Sequence, residues 1–399
     1  MMEALINKFR RLINSHQTTF TRGLSQQINW NARGICIEGA RGTGKSTLML
    51  QHIKAHLPIE KSLYVSLDDL YFRQNNLPDV AEQFYELGGR NLFLDEVHKY
   101  DDWQTAVKNI YDFFPEMKLV LSGSSILALQ KSRADLSRRI LHYHLPELSL
   151  REFIALRSGL ELPAYSLTDV LTMHGEISLQ LQEQLVSPLK YMKEYFSYGA
   201  YPFILEGEAD YFMKINQLIN VIIDYDLPEA RALEIATLAK LKKLLYVIST
   251  SVPFQPNITK LAEQVDTTRT RLLEMLHILE QSQLIHNLRS AAHGISLMNK
   301  PEKIFLHNNS LIAALAEGKP ETGNMRETFF LSQVGNSGAI VTYPKEGDFL
   351  VNGKYLFEVG GKKKSQKQIK AHDDAFVVAD DLEHGFGNKI PLWLFGFLY

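Results

Sequence analysis

Ile35-Cys36-Ile37-Glu38-Gly39-Ala40-Arg41-Gly42-Thr43-Gly44-Lys45-Ser46-Thr47-Leu48-Met49 decides the fold. Its first residues read as a buried strand, the glycine-rich centre as a loop, and Lys45 onward as the start of a helix. Gly39, Gly44, Lys45 and Ser46 fit the phosphate-loop pattern G-x-x-x-x-G-K-[ST]. The glycines let the backbone curl so that successive N–H groups point inward at phosphate oxygens. The helix adds its positive dipole end. Lys45 brings a charge to the β- and γ-phosphates, and the Ser46 hydroxyl is placed to ligate Mg²⁺. The residues expected to bind the nucleotide are Gly39, Arg41, Gly42, Thr43, Gly44, Lys45, Ser46 and Thr47.

Downstream, Asn91-Leu92-Phe93-Leu94-Asp95-Glu96 is an apolar strand ending in two carboxylates. A phosphate-loop ATPase needs this second acidic motif. Asp95 is expected to hold the Mg²⁺ shell and Glu96 to polarise the attacking water. Lys118-Leu119-Val120-Leu121-Ser122-Gly123-Ser124-Ser125 is a further strand closing on small hydroxyl residues. In an open α/β sheet its C-terminal end lies beside the nucleotide, where Ser124, or else Ser122, would sense the γ-phosphate or orient water; a plain Ser/Gly turn is the alternative. Arg138-Arg139 precede a strand at Ile140–Leu145. One of them would stabilise transition-state charge, in cis or across a subunit interface; the plain alternative is a surface pair. Strands at 34–38, 63–67, 91–96 and 118–125 alternate with helices at 45–56, 78–87 and 103–114, preceded by an amphipathic helix over 3–14 with Leu5, Ile6, Phe9, Leu12 and Ile13 on one face. The expectation is an α/β parallel sheet wrapped by helices.

The chain has 399 residues, 45% of them hydrophobic and 22% charged, which is ordinary for a globular protein of two to four domains. A net charge of −2 argues against a wholly basic nucleic-acid coat protein but leaves room for local basic patches. Cys36 is the only cysteine, which excludes an intramolecular disulfide and a cysteine-cluster zinc site. Met1–Gln17 lacks the apolar core of a signal peptide, and no run approaches a membrane span. A cytoplasmic protein is expected.

Past Pro146, Ser149-Leu150-Arg151-Glu152 is a capping box that opens a helical stretch, 149–232, expected to form a lid subdomain. Residues 233–310 read as a winged helix-turn-helix: a helix over 235–249, a short one over 258–265, a turn at Asp266-Thr267, a longer one to about Ser282, then strands at 284–288 and 303–307. Thr268, Arg269 and Arg271 lie in the first turn of its recognition helix, where base edges and phosphates are met; packing or docking on a protein is the alternative use. Residues 311–399 form a last α/β module: a helix carrying Glu327, strands at 339–343, 348–351, 355–359, 375–379 and 392–398, and a helical stretch with Gln366, Lys367, Gln368 and Lys370. Asp348 and Glu358 at adjacent strand ends would bind Mg²⁺ for phosphodiester cleavage. A nuclease would also want a lysine two residues after Glu358. That position is Gly360, and the nearest lysine, Lys362, comes two residues late.

The order Gly39–Ser46, Leu92-Phe93-Leu94-Asp95-Glu96-Val97-His98, Asp102-Trp103, Ser122–Ser125, Ser149–Phe153, Tyr198-Gly199-Ala200-Tyr201-Pro202, with the ending Val377–Asp381 and Ile390–Trp393, resembles prokaryotic AAA+-superfamily ATPases of the archaeal-ATPase type. These carry a winged helix and a C-terminal domain resembling PD-(D/E)XK nucleases. The resemblance implies Mg-ATP at the loop, Arg139 as the arginine after the sensor strand, and Glu327, Asp348 and Glu358 as nuclease-like residues of a degenerate site. Arg41 before Gly42, the Asp95-Glu96 pair and the lack of an N-K-x-D motif set the loop apart from kinases and GTPases. The expected core spans 1–148, and the partners are ATP with DNA or a protein.

Overall fold

Four short, largely apolar runs and one mixed run, Leu141–His144, make the N-terminal sheet. The structure, a computed structural model, describes residues 2–15, 20–123, 136, 138–231, 233–250, 256–290, 300–316, 320–364 and 372–399. The chain divides into two units, Met1–Glu147 and Leu148–Tyr399.

In the first unit the strands are β1 (Gly34–Glu38), β2 (Ser62–Ser66), β3 (Asn91–Asp95), β4 (Lys118–Gly123) and β5 (Leu141–His144). Their order across the sheet is β2-β3-β4-β1-β5, and every pair is parallel. Register places Ile35 beside Val120 on one side and Leu141 on the other. β1 and β3 are buried along their whole length, as expected of central strands covered on both faces. The helices are α1 (Met2–Ser15), α2 (Lys45–His56), α3 (Leu77–Glu86) and α4 (Trp103–Phe113). On α1 the buried stripe is Met2, Leu5, Phe9 and Ile13, narrower than the pattern suggests, because Leu12 turns to solvent. All the C-terminal strand ends point one way, so the loops after β1, β3 and β4 share one edge of the sheet.

The second unit begins with helix Leu150–Ser158, whose Ser149–Glu152 capping box forms as expected. Helices follow at Leu167–Gln184, Pro188–Tyr198 and Tyr211–Val221, then Ile235–Ser249, Ile258–Gln264 and Arg269–Gln281. β6 (Ile285–Leu288) and β7 (Lys303–Leu306) pair antiparallel. Helix Thr322–Asn336 lies in sequence before a second sheet of order β12-β11-β10-β9-β8, made by β8 (Val341–Thr342), β9 (Phe349–Val351), β10 (Tyr355–Gly360), β11 (Ala375–Ala379) and β12 (Lys389–Pro391). Phe330 of that helix meets Phe349, Phe357 and Phe395 at ring separations of 5.2, 4.9 and 4.9 Å.

Polar bonds knit the segments of this unit together. Gln333 donates to the Tyr195 hydroxyl at 2.9 Å and accepts from the Leu150 amide at 3.2 Å; the Ser149 hydroxyl donates to the Tyr399 carbonyl at 2.9 Å. The stretches 149–232, 233–310 and 311–399 therefore fall in one unit. One element differs from expectation. Residues 392–398 are not a strand: β12 ends at Pro391, and Leu392–Phe397 is a buried 3₁₀ helix. An unbroken apolar run fits either form by pattern alone. Burial of all six residues, on every side, fits the helix. The expected helical stretch with Gln366, Lys367, Gln368 and Lys370 lies outside the described residues. Among those described, no helix is long and apolar enough to cross a membrane.

Candidate nucleotide site

The loop after β1 is shaped by its glycines. A Cβ at Gly39 would stand 2.3 Å from the Leu145 carbonyl oxygen, so only glycine lets the chain pass β5 here. Gly44 takes φ of 94° as the residue before α2 and caps it without a side chain, leaving the helix start to the loop interior. Lys45, 5% exposed, donates from Nζ to the carbonyls of Gly39 at 3.0 Å and Ala40 at 2.7 Å. The Thr43 hydroxyl donates to the Ala40 carbonyl at 2.9 Å. A side chain that the sequence did not single out holds the loop from behind. Buried Arg22 donates to the Thr43 carbonyl at 2.6 Å and to the carbonyls of Pro146 and Glu147 at 2.7 and 3.0 Å.

Asp95, at the end of β3, is where the site converges. Its Oδ2 accepts from the Ser46 hydroxyl at 2.5 Å and from the Tyr64 hydroxyl of β2 at 2.5 Å. Its Oδ1 accepts from the Glu96 amide at 3.1 Å and from the Ser122 hydroxyl of β4. Burial, with the Asp95 carboxylate beside it, pushes the Tyr64 phenol well above its ordinary value, so it stays a donor. Glu96 sits at φ of 51°, a left-handed turn that swings its side chain out of the strand line. Its Oε2 lies 3.3 Å from His98 Nε2. Glu38, last residue of β1 and 3% exposed, bonds through Oε1 to His142 Nδ1 of β5 at 2.5 Å.

These residues fit a nucleotide with its divalent ion. The donor set is a lysine, a helix start without a side-chain cap, a serine hydroxyl and a carboxylate joined to it, and the Gly39 crossing leaves no side chain in the loop there. Ser46 and Asp95 are joined directly, Lys45 lies against the loop carbonyls, and Glu96 bonds Asp95 through its amide. Arg41 and Gly42 are half-buried on the loop, and Thr47, the third residue of α2, is exposed. Ser124 lies outside the described residues, while Ser122 reaches Asp95 rather than the loop.

Arg139 is not brought to the loop. It precedes β5 at the N-terminal end of the sheet, beside Gly34, and pairs with Asp112 of α4 through two bonds of 2.9 Å. Five strand residues from Gly34 to Gly39 put it roughly 16 Å from the loop. A parallel neighbour carries its leading residues to the far edge, which spacing along the chain does not reveal. Asp112 is held below the usual carboxylate range, first by the bond from Arg139.

In the second unit Thr268 caps helix Arg269–Gln281 by accepting from the Arg271 amide at 3.3 Å, and both arginines are exposed. A polar cleft of about 530 Å³ is lined by Asn257, Thr259, Arg269, Lys300, Glu302 and Tyr343. The second-sheet carboxylates meet a lysine that sequence spacing missed. Lys364 Nζ lies 2.7 Å from Glu358 Oε1 and 3.8 Å from Asp348 Oδ2. A Cβ at position 360 would stand 2.6 Å from the Lys364 side chain, so Gly360 makes the room it uses. Glu327 pairs with Lys303, and its carboxyl is pushed up, first by burial and also by Asp348, against the pull of Lys303. The signal was available only as a loose run, Lys362-Lys363-Lys364, after the strand.

Residues 31–154 match the family AAA_14, an AAA domain. The first unit has the fold of an AAA-type P-loop ATPase. Residues 189–322 match a domain of unknown function, DUF8612. The chain is similar to the Uncharacterized protein MJ1637 of Methanocaldococcus jannaschii, 28% identical over 371 residues covering 84% of this chain and 77% of that one. It is also similar to MJ1544 of the same organism, 22% identical over 415 residues, 91% and 88% of the two chains. Among solved structures, the Walker-type ATPase paby2304 of Pyrococcus abyssi aligns with 73% of this chain and 93% of its own at 15% identity and a TM-score of 0.40.

Proposed function

We propose that the chain is a Mg-ATP-dependent ATPase whose hydrolysis cycle drives a conformational switch, directed through residues 235–306 to DNA or a DNA-bound partner. The observation that carries the ATPase reading is the bond from Ser46 to Asp95, with Lys45 in the loop and Glu96 next in sequence. Loop amides and Lys45 hold the β- and γ-phosphates. Ser46 would ligate Mg²⁺ through the hydroxyl that Asp95 orients, and the ion would supply charge neutralisation at the transferring phosphoryl group. Glu96 takes the proton from the attacking water.

The order of helix, short helix, capped helix and antiparallel hairpin over 235–306 supports a winged helix. Exposed Arg269 and Arg271, with Lys300 on the adjacent cleft, give it cationic groups for phosphates. ATP turnover of the wild type and Glu96→Gln, measured with and without duplex DNA over a salt series, tests both halves. The variant is expected to bind ATP and hydrolyse it roughly 10²-fold more slowly. DNA binding is expected to weaken steeply as salt rises. Equal turnover sinks the role of Glu96. No DNA binding at low salt turns the second half toward a protein partner.

A second reading concerns the last module. The cluster of Asp348, Glu358 and Lys364, with Glu327 paired to Lys303, supports a nuclease-like site in which Lys364 stands where a lysine two residues after Glu358 would reach. In that role the carboxylates bind a divalent ion and the ammonium stabilises charge on the scissile phosphate.

A further inference from the structure

Tyr64 has no part in the phosphate-loop motifs, yet its hydroxyl is one of four donors on the carboxylate at the centre of the site. β2 is not next to β1: β3 and β4 stand between them. A residue of β2 therefore reaches the loop's partner only from the side. Register sets Tyr64 beside Phe93 and Ser66 beside Asp95, so Tyr64 and Asp95 stand on one face of neighbouring strands, two positions apart along the strand direction. The phenol spans that offset. The ring is 9% exposed.

An ionised carboxylate offers about four lone-pair directions. On Asp95 the four donors are Tyr64, Ser46, Ser122 and the Glu96 amide. Two fall on each oxygen, so the plane of the carboxylate is fully set. Tyr64 and Ser46 share Oδ2, which fixes that oxygen against the loop's serine. With Tyr64 absent, Oδ2 keeps a single donor, Ser46, which under the ATPase reading also gives its oxygen to the ion.

We propose that Tyr64 is a positioning residue for the divalent ion: its hydroxyl locks Asp95 in the orientation that Ser46 and the hydrated ion require. The inference rests on the Mg-ATP reading of the same site. It assigns Tyr64 no contact with nucleotide or water. Its effect belongs to ion-dependent binding and is absent from binding of the nucleotide alone.

The test is Tyr64→Phe in the full chain, which removes one oxygen and keeps the ring in its packing. Binding of a non-hydrolysable ATP analogue is followed by calorimetry, first in chelator and then across a Mg²⁺ titration, with melting curves of both proteins recorded. The Mg²⁺ concentration for half-maximal enhancement is expected to rise about tenfold in the variant, as for other groups that orient a metal's ligands. Affinity in chelator is expected to match the wild type, and saturating Mg²⁺ to restore the variant. Superimposable Mg²⁺ titrations overturn the assignment. So does an equal loss of affinity with and without Mg²⁺, the mark of a merely structural ring. A wild type that binds no analogue under either condition removes the Mg-ATP reading itself, and the role of Tyr64 with it.

Discussion

At the scale of single residues, position along the chain tells less than the partner a side chain meets. Lys364 is six residues past Glu358, too far for a strand-borne Glu-x-Lys spacing, yet its ammonium reaches both carboxylates. Gly360 looked like a loss. Its missing Cβ is what admits the Lys364 side chain. Burial pulls the Lys364 ammonium down, but the bond it donates to Glu358 and the charges of Asp348, Glu358 and Glu327 outweigh it, so the net shift is upward and the group stays charged. Incubating DNA with Mg²⁺ or Mn²⁺ tests the nuclease reading. Wild type is expected to cut, with Lys364→Ala and Asp348→Ala each slower by roughly 10²-fold and unchanged in ATP turnover. A wild type that leaves DNA intact with either ion ends that reading. The phosphate loop was legible for the opposite reason: its eight residues act as neighbours in sequence. Tyr64, Arg22 and Lys364 were not, because each works through register or chain return.

At the scale of elements, the parallel strands were readable from apolar runs bounded by polar residues, and the helices from their period. Leu392–Phe397 was misread because a run buried on every side carries no period. α2 holds a feature that neither period nor motif exposes. His52 stacks on Trp30 with ring centroids 3.6 Å apart and planes 8° from parallel. Burial first, then His56 and Lys118, lower its pKa to about 4. The sign follows. Between about pH 6.5 and 4 the unfolded chain binds a proton at this ring that the folded one refuses, so the stability present above 6.5 is lost as pH falls. With solvent screening allowed for, the contribution is about 1–2 kcal/mol. Melting curves of the wild type from pH 7.5 to 4.5 are expected to fall more steeply than those of His52→Phe, which keeps a stacked ring and cannot titrate. Parallel slopes count against His52 as the titrating group.

At the scale of the whole molecule, Arg139 turns a question of chemistry into one of assembly. It stands at the edge of the sheet opposite the loop, partly exposed and paired with Asp112. With its backbone roughly 16 Å from its own loop and its guanidinium held by Asp112, it does not touch the γ-phosphate there. If it serves hydrolysis, it serves a neighbour's, and Asp112 is the group it leaves on docking. That makes turnover depend on association. Per-chain ATPase rate is expected to rise with protein concentration, and Arg139→Ala to lower the rate at high concentration by roughly 10³-fold, the scale of an arginine supplied across an interface. Mixing gives the sharper measurement. Glu96→Gln keeps its arginine and loses its base; Arg139→Ala keeps its base and loses its arginine. Combined, the first would lend its guanidinium to the second's intact carboxylate, and the mixture is expected to recover a large part of wild-type turnover. A mixture no faster than the sum of its parts would leave Arg139 a surface partner of Asp112, and the catalytic charge would then have to come from Lys45 and the loop amides of a single chain.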